Sequence, residues 1–149
     1  MTVTADLRIA DLRGFLAGPW RIARIVRDRR LGLTGSFRGA CVFTPDGTAL
    51  RYSEKGELRF GDHRGPAAQS YDLIFRDDGH AEMRFRDGRF FHDLDLSAGR
   101  TDVVHLCGAD TYRGRFEVVD ERAWRSTWCV SGPRKDQLIA SQYRRDPIR

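Results

Sequence analysis

Lysine is almost absent from this chain. Of 26 Lys and Arg residues only Lys55 and Lys135 are lysine, and with 21 Asp and Glu the formal charge is +5. An arginine bias of this kind is often genomic in origin; the other reading is a basic field that draws an anionic partner. The cationic runs, Arg27-Asp28-Arg29-Arg30 and Arg144-Arg145, are short and adjoin acids. No helix face is lined with Lys and Arg, and no basic stripe is interleaved with aromatics, which argues against nucleic-acid binding. Cysteine is scarce as well. Cys41, Cys107 and Cys129 are odd in number and have no short paired spacing, which speaks against a disulfide framework and against a Cys-x-x-Cys zinc site. No run of about 18 apolar residues exists, so no spanning helix and no membrane partner are expected. The first residues, Met1 to Asp6, lack the basic-then-apolar order of a secretory signal. A reducing, cytoplasmic setting is the expectation.

What the chain does have is period-two alternation. Its 149 residues suit one domain, able to bury about 70% of its unfolded surface. A helical stripe is predicted over residues 5–17, carried by Leu7, Ile9, Ala10, Leu12, Phe15 and Leu16. It ends at Gly18-Pro19, a helix stop, and Trp20 opens the first strand as its first inward residue. From there to residue 145 short strands alternate with turns such as Pro45-Asp46-Gly47, Asp77-Asp78-Gly79 and Asp87-Gly88. Gly56 is expected to break its strand, and residues 61–66 to form a loop. Nine to ten strands, spaced about 8–12 residues apart, point to an all-β domain over 1–149. The pattern predicts an antiparallel meander barrel closed at one end by the N-terminal helix.

The helical turn followed by Gly18-x-Trp20 resembles the opening of lipocalins and other calycins. That resemblance implies an arginine near the last strand packing over the tryptophan, a place that Arg144 or Arg145 would fill. The strand count is more similar to fatty-acid-binding and nitrobindin-like barrels. Three segments carry a longer likeness: Phe15-x-x-Gly18-x-Trp20, His105-x-Cys107-x-x-Asp110-x-Tyr112-x-Gly114, and Trp128-x-Val130-x-Gly132-Pro133-x-Lys135-Asp136. Together they resemble a bacterial calycin-like domain family of unknown function, which brings a fold and no activity.

A small barrel keeps its function inside, so the candidates are polar residues in phase with core residues. His105 and Cys107 share one strand face, and Asp110 and Tyr112 share a face on the next. Pointing inward, they would bring an imidazole, a thiol, a carboxylate and a phenol together, and an Asp accepting from the ring N–H would set the His tautomer. In the alternative, Val104 and Leu106 face inward and Asp110 caps a turn. His105, Cys107 and Asp110 lack a fourth zinc ligand. His92 is in phase with Phe90, Leu94 and Leu96, with Phe91, Asp93 and Asp95 on the other face. It reads as a core residue, a ligand contact or, by the nitrobindin resemblance, a haem ligand. His63 and His80 are expected in solvent, without a role. Tyr52 is placed to line a cavity, and Arg134 with Lys135 to meet a carboxylate or phosphate at the rim.

Three functions fit. The first is binding of a small, partly apolar ligand, acidic where Arg134 and Lys135 would meet it. The second is acid–base catalysis by a His-Asp-Tyr set. The third is a barrel filled by its aromatics, with edge strands or the helix mediating a homodimer. No cofactor and no metal is assigned.

Overall fold

The N-terminal helix decides which end of the molecule is shut. The computed structural model describes residues 7–146, and there the helix is only α1 (Leu12–Leu16). The expected helix over 5–17 is therefore shorter, its first two residues lying outside the described part. Asp11 caps it, its carboxylate accepting from Gly14 N–H at 3.0 Å. Upstream the backbone is tied down instead, Ile9 N–H donating to Leu96 O at 3.1 Å. Downstream Gly18 takes φ +98°, which only glycine adopts cheaply, and turns the chain into the first strand.

Ten strands follow: β1 (Gly18–Asp28), β2 (Leu33–Asp46), β3 (Ala49–Phe60), β4 (His63–Phe75), β5 (His80–Phe85), β6 (Phe90–Asp95), β7 (Arg100–Cys107), β8 (Asp110–Asp120), β9 (Ala123–Gly132) and β10 (Lys135–Arg144). They form one antiparallel sheet in the order β6-β5-β4-β3-β2-β1-β10-β9-β8-β7. The sheet curls into a nearly closed barrel whose seam lies between β6 and β7. The meander barrel expected from the alternation is the observed fold.

Three local expectations are corrected. Gly56 does not break β3. It sits opposite Gly39 of β2, and a Cβ on either would fall 2.7 Å from the other's Cα, so the pair lets two long strands pass very closely. Residues 61–66 are not a loop; β4 starts at His63 directly after a two-residue turn. The third correction lies on β6. The register shifts so that Met83 faces His92 but Arg84 faces Phe90. This β-bulge puts an extra residue into β6 and sends Phe91 inward beside His92, while Phe90, expected inside, is 45% exposed.

The core is densest at the α1 end. Leu12, Leu16, Leu50 and Leu73 are fully buried there, and Trp20 is almost so. Trp20 Nε1–H donates to Leu16 O at 2.8 Å. The Arg145 guanidinium lies over the Trp20 ring, 3.7 Å from its centroid, and donates to Leu16 O, Ala17 O and Pro19 O. Arg145, not Arg144, takes this place. Tyr143 points inward, so Arg144 faces out and Arg145 returns over the barrel end.

Candidate functional site

Strand alternation delivers large side chains to the barrel axis, yet they do not fill it. A cavity of about 360 Å³ remains, within the range of small-molecule sites. Its wall includes Phe37, Phe43, Tyr71, Phe91, Phe116, Trp124 and Trp128, and it reaches toward the end remote from α1 along Val26, Leu58 and Ile139. The rings are ordered. Phe91 stacks on Trp128 at 5.3 Å, and Trp124 stacks on Tyr143 at 3.7 Å with ring planes 1° apart.

Midway along the axis sits a charged network. Arg24 continues the inward phase of Trp20 and Ile22, and Glu54 that of Leu50 and Tyr52. The guanidinium donates from Nη1 to Glu54 Oε2 at 2.7 Å and from Nη2 to Oε1 at 2.9 Å. Its Nε donates to Ser141 Oγ at 2.7 Å, and Nη2 also donates to the Tyr143 hydroxyl at 3.2 Å. The Tyr52 hydroxyl donates to Glu54 Oε1 at 2.5 Å. The two charged side chains are 12% and 3% exposed, so this is a buried ion pair with its polar atoms shared among neighbours. Burial alone would lower the Arg24 pKa, but the bonds to Glu54 and the charge around it hold it raised. Burial raises the Tyr52 and Tyr143 phenols and pushes the Cys41 thiol up to about 12.

His92 is 2% exposed and borders the cavity. Its Nδ1 lies 2.8 Å from Asp93 O, and because a carbonyl only accepts, Nδ1 carries the hydrogen. Burial pushes its pKa down to about 4, so the ring is neutral at pH 7. Trp124 Nε1–H is buried with no acceptor among the described residues.

The residues singled out in the sequence divide into two sets. Tyr52, His92 and Tyr112 border the cavity. His105 and Tyr112 are opposite each other on β7 and β8, with ring centroids 5.9 Å apart, but His105 stands behind Phe91, 5.0 Å from it. Asp110 does not reach His105. Its carboxylate pairs with Lys135 at 3.3 Å, and Lys135 Nζ donates to the Tyr112 hydroxyl at 3.2 Å. These two contacts raise the Lys135 pKa, the Tyr112 bond most. Cys107 is exposed, because β7 ends there, at the barrel rim. Arg134 is exposed in the β9–β10 turn. His105, Cys107, Asp110 and Tyr112 therefore share one face of the β7–β8 hairpin, Cys107 opposite Asp110 and His105 opposite Tyr112, but the expected bond from His105 to Asp110 is replaced by the Asp110–Lys135 pair. Among the described residues no three His, Cys, Asp or Glu side chains gather as a metal would need. His80, expected in solvent, is partly exposed and contacts Asp93 at 2.9 Å. Arg24, Glu54, Ser141 and Tyr143 were not singled out in the sequence, although each continues an inward phase.

Residues 16–145 match a family of unknown function, DUF6314. The chain belongs to that family. No curated protein matches the sequence. Among solved structures the DUF6314 barrel is similar to an S-type phycobiliprotein lyase from Guillardia theta, at 8% identity over 91% of each chain and a TM-score of 0.64. It is also similar to a DUF3598 protein of unknown function from Nostoc punctiforme. There the identity is 11% and the TM-score 0.66, over 97% of this chain and 52% of the other. At such identities the likeness is one of fold.

Proposed function

We propose that this DUF6314 barrel binds a small, largely apolar molecule in its axial cavity. The observation that carries the reading is the cavity itself. About 360 Å³ of ring-lined space persists in a barrel with aromatics enough to fill it, beside a buried ion pair that holds the wall in place. A filled structural barrel would leave less than about 300 Å³. Acid–base catalysis by His105 and Asp110 finds no support, since Asp110 engages Lys135. The similarity of fold to a phycobiliprotein lyase supports the reading only in that such barrels serve as scaffolds for sites.

Native mass spectrometry of freshly purified protein tests it. We expect a retained small molecule, or the uptake of one equivalent of a naphthalene-sized apolar probe when the protein is purified empty. A protein that arrives empty and takes up no such probe is a filled barrel in practice, and the reading fails.

A further inference from the structure

We propose that the molecule this cavity takes is uncharged and planar where it is buried, and that it donates a hydrogen bond to Nε2 of His92. The inference rests on the binding reading above and narrows it to a ligand class.

The charges on the wall come first. Arg24, the cation that borders the cavity, is held by both oxygens of Glu54. At the remote end Lys135, beside the cavity-lining Tyr112, is held by Asp110. A buried carboxylate would meet Glu54 as well as Arg24, and a buried cation would meet Arg24 as well as Glu54. Either ion would leave water without a partner of its own, which an apolar chamber punishes severely. A neutral group incurs no such loss.

The shape of the wall comes next. Phe91 and Trp128 lie 18° from parallel, and Phe116 and Trp124 lie 24° from parallel, so flat faces line the space. Flat faces favour a flat guest, whose rings stack or meet them edge-on. The bulge in β6 belongs to this wall, because it is what turns Phe91 inward.

The polar handle completes the argument. Asp93 O holds the hydrogen of His92 on Nδ1, which leaves Nε2 with a lone pair and no hydrogen. Among the described residues His92 makes its hydrogen bond through Nδ1 and not through Nε2, and both His92 and Ser126 border the cavity. The His92 ring is wedged 5.0 Å from Phe116 and 5.3 Å from Trp128, so it cannot swing away to find a partner. An acceptor fixed in an aromatic wall selects for a donor, and a guest without one leaves the acceptor dry. Ser126, whose hydroxyl both donates and accepts, tolerates either kind of group.

Three probes of one size separate these features: 2-naphthol, a neutral donor; 2-methoxynaphthalene, neutral with no donor; and 2-naphthoate, an anion. Titrations of the whole chain at pH 7 follow tryptophan quenching. The expected order is 2-naphthol about tenfold tighter than 2-methoxynaphthalene, and 2-naphthoate weakest. In His92→Phe the ratio of the first two falls to about one, while 2-methoxynaphthalene keeps its affinity within about twofold. In Ser126→Ala the preference for 2-naphthol persists. Tightest binding of 2-naphthoate overturns the proposal, and so does a 2-naphthol preference that survives His92→Phe. Should that variant not fold, the wild-type order alone decides. If none of the three probes binds, the binding reading beneath the proposal fails, an outcome distinct from the wrong order among probes that do bind.

Discussion

Arg24 and Glu54 show how much one inward charge constrains. Each alone would be untenable at its depth; together, with Tyr52, Ser141 and Tyr143, they satisfy each other. Removing one partner strands the other. Glu54→Gln should destabilise the fold by about 3–5 kcal/mol, the range for breaking a buried pair, and Arg24→Met combined with Glu54→Leu should recover much of that loss. Urea unfolding of the wild type and these two variants checks this, and a double variant no better than Glu54→Gln would refute it. The signal for the pair was present in the sequence as Trp20-x-Ile22-x-Arg24 and Leu50-x-Tyr52-x-Glu54. A charge in phase with core residues is evidence of a partner across the barrel, but which strand supplies that partner is a matter of register around the axis.

At the scale of elements, the strands were legible because alternation and turn chemistry act over a few residues. Two features were not. The bulge at Phe90-Phe91 reverses the phase of β6, and nothing in an unbroken apolar pair reveals which residue is the extra one until β5 supplies the register. The close seating of Trp128 is the other. A Cβ on Gly114 of β8 would fall 2.7 Å from the Trp128 ring, so this glycine is the seat on which one wall of the cavity lies flat. Gly114→Ala should cost about 1–3 kcal/mol, as overpacking does, and push the indole toward the axis. Thermal denaturation together with a shift in tryptophan emission would show both effects, and unchanged emission would mean that the ring is seated otherwise.

At the scale of the whole molecule several arginines are engaged with acids. Arg51 with Asp72, Arg76 and Arg84 with Glu82, Arg115 with Asp102, and Arg125 with Glu117 form ion pairs on or near the outer face. Exposed pairs of this kind add little to stability. The pH response should instead carry the mark of His92. Its folded pKa, about 4, lies below the ordinary 6.5, so the unfolded chain takes up a proton between those values and the folded chain does not. Its contribution is therefore full above pH 6.5 and is lost as pH falls toward 4, by about 3 kcal/mol in all. His80, raised by its hydrogen bond to Asp93, works in the opposite sense, its gain present at low pH and lost as pH rises. Unfolding free energies at pH 7 and pH 4.5 should differ less in His92→Phe than in the wild type. Equal differences would mean that the ring is not held neutral.

The sequence by itself determined the all-β class, the meander and the shut Trp20 end, and it offered Tyr52, His92 and Tyr112 among its candidates for the interior. These follow from alternation, glycine and proline punctuation, and the bulk of a tryptophan, all of them short-range. Only the tertiary structure decided that Arg145 rather than Arg144 covers Trp20, that Asp110 is taken by Lys135 and not by His105, and that Arg24 meets Glu54. Those outcomes depend on how ten strands are staggered around one axis, where a shift of a single residue exchanges inside for outside. The cavity belongs to this second group as well, since the space left on the axis is set by every strand at once.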